Sequence, residues 1–298
     1  MKVFLTGATG LVGGAVAAAL TEAGHGVVAL SRGPSPRLPA GVRPVQGDPA
    51  REGAWQEALR ACDACVHLAG EPIAAGRWTE ARKRAIRDSR VASTRRIAEV
   101  LRSGGPALLL SGSAVGYYGA RGDEPLDESS PPGTDFLATV CREWEAEAGA
   151  AATRARVVLL RTGIVLARRG GALERMLLPF RLFAGGPIGR GDFWQSWIHL
   201  ADEVAMILWA LGDERVAGPL DATAPEPVRN RELAAALGRA LHRPSLVRVP
   251  PAALRLLLGE LGEVVASGQR VLPRKALQAG FRFRFPGIEG ALADLLAR

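Results

Sequence analysis

The sequence is poor in the residues that most often carry cross-links, metals or proton transfer. Only three cysteines occur in 298 residues, Cys62, Cys65 and Cys141, so no disulfide framework is expected. Cys62-Asp-Ala-Cys65 has the C-x-x-C spacing of a redox or metal pair. No second cysteine pair exists to complete a zinc site, so two small buried residues are expected there and no metal is. No apolar run reaches the length of about 18 residues that a membrane helix needs. The first strand begins at once, without the charged prefix and apolar stretch of a signal peptide, and the expected compartment is the cytoplasm. Tyrosine is limited to Tyr117 and Tyr118, and lysine to Lys2, Lys83 and Lys275. The net charge of +8 comes from arginines spread through the whole chain, with no lysine-rich tail, so it does not point to nucleic acid.

What the sequence has is apolar residues, at 48%, and glycine in a telling place. Val3, Phe4 and Leu5 form a short apolar run suited to a buried strand. Gly7, Gly10 and Gly13 follow in a G-x-x-G-x-x-G pattern, with Thr9, Leu11 and Val12 between them. Ala15 to Leu20 reads as a helix, Gly24 stands where its C-cap is expected, and Val27 to Leu30 is a second strand. A side-chain-free turn between strand and helix lets a pyrophosphate approach the backbone, where the helix N-terminus offers unpaired N–H groups. The second strand ends at Ser31-Arg32, where an NAD site usually has an acid for the ribose 2′-OH. No acid follows before Asp48, and the planar fork of Arg32 suits a 2′-phosphate, so NADP is the expected cofactor.

The βαβ rhythm continues. Val42 to Gln46 reads as a third strand, ending near Asp48, which either reaches an adenine or caps the helix Glu52 to Arg60. Ala64 to Leu68 is a fourth strand, followed by Ala69, Gly70 and Glu71, small enough at first to let a cofactor lie on the backbone. Thr79 caps a long polar helix, Glu80 to Arg102. Ala107 to Leu110 is a fifth strand leading into Ser111, Ser113, Tyr117 and Tyr118; Asp135 opens a helix with Cys141, Trp144 and Glu145; Arg156 to Leu160 is a sixth strand ending near Thr162 and Gly163. Helices are expected over Leu173 to Phe183 and Ala201 to Leu211. Alternation in Phe281, Phe283 and Phe285 predicts a late strand with its phenylalanines buried. The fold class is therefore α/β, a doubly wound parallel sheet of Rossmann type with a small C-terminal domain, divided as 1–221 and 222–298. Ligands bind such sheets at the carboxyl ends of the strands, where all these loops gather.

These motifs resemble the extended short-chain dehydrogenase/reductase superfamily, and within it an atypical epimerase-family branch with a C-terminal domain of unknown function. The matching stretches are Thr6-Gly-Ala-Thr-Gly-Leu-Val-Gly13, Leu68-Ala-Gly-Glu-Pro-Ile73 with Arg77-Trp78, Ser113-Ala-Val-Gly-Tyr-Tyr-Gly119, Cys141-Arg-Glu-Trp-Glu145, Arg161-Thr-Gly-Ile-Val-Leu166, Trp197-Ile-His199 with Asp202, and Gly268-Gln-Arg-Val-Leu-Pro273. The resemblance implies an NADP-binding epimerase or oxidoreductase acting on a small molecule such as a nucleotide sugar or another carbonyl compound, as a monomer or homodimer. Its cofactor would lie along Gly7 to Gly13, Ser31-Arg32, Asp48, Leu68 to Glu71, Ser111, Thr162 and Gly163. The superfamily's chemistry also needs a serine, a tyrosine, and a lysine four residues after it that lowers the tyrosine pKa and holds the ribose. Ser113 fits the serine. The helix after Asp135 has neither tyrosine nor lysine; the pair falls on Phe136 and Val140, or on Leu137 and Cys141. Two accounts follow. In one, the acid is relocated, with Tyr117 or Tyr118 first and Glu71, Arg77 and Cys141 behind; in the other, the protein binds NADP without turnover, as a sensor or scaffold. RNA binding is a third, lower reading.

Overall fold

Val3, Phe4 and Leu5 are completely buried in β1 (Lys2–Thr6), the strand from which the rest of the sheet is laid out. The computed structural model of the chain describes residues 1–297. After β1 come α1 (Leu11–Glu22), β2 (Gly26–Ser31), β3 (Arg43–Gln46), α2 (Trp55–Arg60), β4 (Ala64–His67), α3 (Glu80–Arg102) and β5 (Leu108–Ala114). A 3-10 turn, Val115–Tyr118, leads to the short β6 (Pro125–Leu126), then α4 (Phe136–Gly149), a second 3-10 turn, Ala150–Thr153, and β7 (Arg156–Thr162). The rest is β8 (Ile164–Leu166), α5 (Gly171–Arg181), β9 (Trp194–Gln195), β10 (Trp197–His199), α6 (Leu200–Gly212), β11 (Gly218–Ala222), β12 (Val228–Arg229), α7 (Asn230–Leu241), α8 (Pro251–Leu258), α9 (Glu260–Val265), β13 (Arg270–Val271), α10 (Arg274–Gln278) and α11 (Ile288–Leu296).

Seven strands form one parallel sheet in the order β11-β7-β5-β4-β1-β2-β3. The order reverses between β1 and β4, so a crevice opens beyond their carboxyl ends. Successive strand residues feed opposite cores. Leu5, Val16, Leu20, Leu110, Leu160 and Ile207 meet on one face; Phe4, Leu30, Trp55, Ile97, Leu101 and Leu109 meet on the other. Each such side chain contributes about 1.5–3 kcal/mol by leaving water. The helix starts follow their capping residues: Thr79 Oγ1 accepts from Arg82 N at 3.2 Å, and Asp135 Oδ1 accepts from Ala138 N at 2.9 Å.

The boundaries differ from the sequence reading where polar residues continue a strand. β5 runs on through Ser111, Gly112, Ser113 and Ala114, and β7 through Arg161 and Thr162, the two pairing as far as Ala114 with Thr162. Apolar runs marked only the buried middle of each. The expected strand at Phe281 to Phe285 is absent. Its burial alternates as expected, but its backbone pairs elsewhere: the Arg284 and Phe285 N–H groups donate to the Asp202 carboxylate at 2.8 and 2.9 Å, and the Phe281 N–H to Ala276 O. One carboxylate at the start of α6 takes the place of a neighbouring strand. Three two-stranded pairs stand outside the large sheet: β10 runs parallel to β8, β12 antiparallel to β9, and β13 parallel to β6.

Candidate functional site

The turn after β1 is built for close approach. Gly7 has φ +77°, and a Cβ on it would lie 2.8 Å from the Leu68 carbonyl carbon. A Cβ on Gly13 would lie 2.1 Å from Gly7 O, so only glycine lets α1 start this near the strand. The N-cap is Gly10, which has no side chain to cap with, and the first turn of α1 holds no acid. Its N–H groups and the positive end of its dipole are left for an anion.

Beyond this turn lies a cleft of about 970 Å³ lined by Gly7, Thr9, Gly10, Ser31, Arg32, Asp48, Leu68, Ala69, Gly70 and Glu71, with Ala85, Ser89, Ala92 and Ser93 of α3 as its far wall. Arg32 is exposed and makes no ion pair among the described residues, while Asp48 accepts from the Ala50 N–H at 3.0 Å. The floor is a hydrogen-bonded chain. Ala69 N–H donates to Thr6 Oγ1 (3.1 Å), which lies 2.6 Å from His67 Nδ1, and His67 Nε2 lies 3.0 Å from Ser93 Oγ. Because Ser93 Oγ donates to Ser89 O at 2.7 Å, the consistent assignment has Thr6 donating to Nδ1 and Nε2–H donating to Ser93. Burial, with Arg90 nearby, pushes the His67 pKa down to about 3, so the ring is neutral. The chain fixes Leu68 to Gly70 where they line the cleft.

A second network stands at the ends of β5, β7 and β11. Ser113 Oγ donates to Glu145 Oε1 at 2.6 Å. Arg161 donates to the same carboxylate through Nε (2.8 Å) and Nη2 (2.7 Å), and through Nη1 to the Tyr118 hydroxyl at 2.9 Å. Tyr118 in turn donates to Asp221, 2.8 and 2.9 Å from its two oxygens. Tyr118 is fully buried, and burial together with the Asp221 charge pushes its pKa far above the usual phenol range. Burial, with Glu128 close by, also raises Asp221 well above the carboxylate range. Tyr117 is half-buried, its ring centroid 3.5 Å from Arg161 Cζ. Thr162 Oγ1 donates at 2.8 Å to Glu203, a carboxyl pushed up to about 8 by burial, whose other oxygen has no partner.

A model of the NAD dependent epimerase/dehydratase family matches residues 3–220 of this chain.

The chain belongs to that family.

A model of a domain of unknown function, DUF1731, matches residues 249–295. Among relatives, the chain is 40% identical over 304 residues to the chloroplastic "Epimerase family protein SDR39U1 homolog" of Arabidopsis thaliana, covering 99% of this chain and 87% of that one. It is 40% identical over 298 residues to "Epimerase family protein Mb2239" of Mycobacterium bovis, covering 99% and 98%. The crystal structure of human epimerase family protein SDR39U1 (isoform 2) with NADPH superposes with a TM-score of 0.89 at 34% identity, covering 99% of both chains. UDP-glucose-bound MoeE5, at 21% identity and TM-score 0.78, shares the fold.

Within this epimerase-family frame, the residues expected at the cofactor divide into two groups. Gly7, Thr9, Gly10, Ser31, Arg32, Asp48, Leu68, Ala69, Gly70 and Glu71 line one cleft; Leu11, Val12 and Gly13 form the adjoining first turn of α1. Ser111, Thr162 and Gly163 stand apart from its walls, Ser111 midway along β5 and the other two at the end of β7; Ser111 is fully buried and its hydroxyl donates to Gly112 O at 3.2 Å. Of the two registers open for α4, Leu137 and Cys141 face the end of β5. Leu137 packs against Gly116, and the Cys141 thiol neighbours Ser113 and Ala114. Phe136 instead meets Trp78 edge-on at 5.2 Å. Burial, with Glu145 close by, pushes the Cys141 thiol up to about 12. Sequence reading passed over Thr6, His67 and Ser93, and the partnership of Glu145, Arg161 and Asp221. The last three differ in visibility: Glu145 and Arg161 stand inside motifs that carried the resemblance, whereas nothing near Asp221 marks it.

Proposed function

We propose that this epimerase-family chain binds NADP(H) in the cleft between β1 and β4 and acts on a small carbonyl-bearing molecule, as a reductase or isomerase with a relocated acid. The carrying observation is Arg32: an exposed guanidinium with no carboxylate partner among the described residues, just after β2, on the wall of the cleft that opens beyond the Gly7–Gly13 turn. The structure of the human relative with NADPH supports the same choice. The residues suit NADP: the α1 N-terminus for the pyrophosphate, Arg32 for the 2′-phosphate, and Ala69 to Glu71 on the way to the nicotinamide half. Bound NADPH supplies a hydride from its nicotinamide ring. In this reading residues 1–221 hold the cofactor, with Ser111, Thr162 and Gly163 around the nicotinamide half, and residues 222–298 close the substrate side.

For the proton we assign Tyr117 rather than Tyr118. The Tyr118 hydroxyl is committed to Asp221 and lacks exposure, and Cys141 is too basic a thiolate to form near neutral pH. Ser113, its hydroxyl already given to Glu145, positions that strand end. Turnover on ordinary nucleotide sugars is accordingly slow. A second reading, cofactor binding without turnover, draws on the apolar face that α4 presents through Leu137. The test is NADPH oxidation across sugars, quinones and aldehydes, with Tyr117→Phe and Ser113→Ala alongside. Loss of turnover in Tyr117→Phe supports the first reading; brisk turnover in both variants overturns the placement. Tight NADPH binding with no turnover on any substrate favours the second reading.

A further inference from the structure

Helix α4 brings no cation to the end of β5, yet a cation stands there. It comes from α3. Arg90 is half-buried, and its guanidinium lies against Gly70 so closely that a Cβ on that glycine would be 3.0 Å from Cζ, 3.2 Å from Nη2 and 3.3 Å from Nε. On its other side the guanidinium sits 5.4 Å from the Trp144 ring of α4. Arg90 Nη1 donates to two backbone carbonyls, Glu71 O and Ile86 O, both at 3.0 Å. No carboxylate of the described residues forms an ion pair with it, the nearer acid, Glu71, being taken by Arg82 at 2.7 Å.

The group is thus bracketed by two elements. Gly70 and Glu71 belong to the cleft wall; Trp144 and Cys141 belong to α4, and the Cys141 thiol is close enough to feel the Arg90 charge. In one of the two registers the resemblance allows, Cys141, four residues after Leu137, is the α4 position where the lysine would fall. A half-buried cation held by carbonyl dipoles and a ring face, with no carboxylate partner among the described residues, keeps charge for a ligand. Arginine suits this role better than a generic ammonium: its planar fork is held on one edge by the two carbonyls and by the face of Trp144, leaving the remaining N–H groups fixed in direction.

We propose that Arg90 supplies from α3 the cation that α4 lacks, binding the ribose hydroxyls on the nicotinamide side of the cofactor. This rests on the NADP reading above and adds which residue holds the reacting half. It makes Arg90 a cofactor-binding residue on a different helix from the superfamily's lysine, set so close to Gly70 that a Cβ there would press on the guanidinium.

The test separates the two halves of the cofactor. Affinities of NADPH and of adenosine 2′,5′-bisphosphate, which has no nicotinamide ribose, are measured by calorimetry for the full chain and for Arg90→Met, Arg90→Lys and Arg32→Asp. Arg90→Met is expected to weaken NADPH at least tenfold while leaving the bisphosphate within twofold, and Arg90→Lys to recover part of the loss. Arg32→Asp should weaken both ligands. Should Arg90→Met prove unfolded by circular dichroism, Arg90→Lys and Arg90→Gln carry the same comparison, with Lys the tighter. Equal weakening of both ligands, or no weakening of NADPH in a folded variant, overturns the proposal for Arg90. Failure of the unsubstituted chain to bind the bisphosphate would instead defeat the cofactor reading on which it rests.

Discussion

The two ends of the site are made in opposite ways. The end between β1, β2 and β4 is made of backbone: glycines, an uncapped helix start, and one exposed arginine. The end beyond β5, β7 and β11 is made of buried side chains that reach across the sequence, from Ser113 to Glu145 to Arg161 to Tyr118 to Asp221. NAD and NADP share one pyrophosphate, which a backbone cradle can hold in either. The contrast also separates stability from binding. The backbone end should tolerate loss of its charged group, whereas the buried end should not.

The largest effect should come from breaking the buried end. Arg161→Met leaves the Glu145 carboxylate, a nearly inaccessible side chain, without its bidentate partner. Removing one member of a buried pair costs about 3–5 kcal/mol, and urea unfolding should show that loss; a change below about 1 kcal/mol would mean that the pair is effectively solvated.

pH sharpens the comparison, because the two ends titrate with opposite sign. His67 at the backbone end is held neutral, with its folded pKa near 3 against about 6.5 unfolded. The unfolded chain takes up the proton first, so this contribution is present above pH 6.5 and is lost as pH falls from there toward 3. Glu203 beside Thr162 is held protonated, with a folded pKa near 8 against about 4.3 unfolded. Here the unfolded chain ionises first, so the contribution is present below about pH 4.3 and is lost as pH rises toward 8. Each limb has a slope of at most about 1.4 kcal/mol per pH unit. Unfolding midpoints followed from pH 4 to 8 should lose the acid-side slope in His67→Asn and the alkaline-side slope in Glu203→Gln. Unchanged slopes in either variant would assign that limb to other groups.

Tyr118→Phe is next in size. It removes the hydroxyl that donates to Asp221 and accepts from Arg161, and should cost about 1–3 kcal/mol of stability while leaving NADPH affinity unchanged. A large fall in affinity would put that hydroxyl in the cofactor site. Arg32→Asp is the smallest for the fold, within about 0.5 kcal/mol by thermal melting. It should nevertheless narrow or reverse the preference for NADPH over NADH; equal binding of both by the unsubstituted chain would refute the arginine argument.

The same contrast accounts for what was legible beforehand. The cofactor end could be read because its signals are local: three glycines within seven residues, a helix, and an arginine after the next apolar run. The sheet could be read because parallel strands buried on both faces are continuous apolar runs. The polar ends of β5 and β7 could not, since Ser111 to Ala114 and Arg161-Thr162 carry no strand signature and are held by each other. Nor could the Phe281–Phe285 segment, whose alternation reports burial while its amides bind a carboxylate 82 and 83 residues away.

The strand order β11-β7-β5-β4-β1-β2-β3 has a consequence for how the chain is made. Synthesis begins at β1, adds β2 and β3 outward on one flank, returns to the other side of β1 with β4, and then adds β5, β7 and β11 outward on that flank. Every strand of the large sheet therefore meets a finished neighbour as it emerges, and no gap is ever held open for a later one. The β3 edge is settled early, and Pro44 within it cannot donate to a further strand. The growing edge is left, at each stage, to the next segment of the same chain, so exposure to foreign strands narrows to one edge at a time.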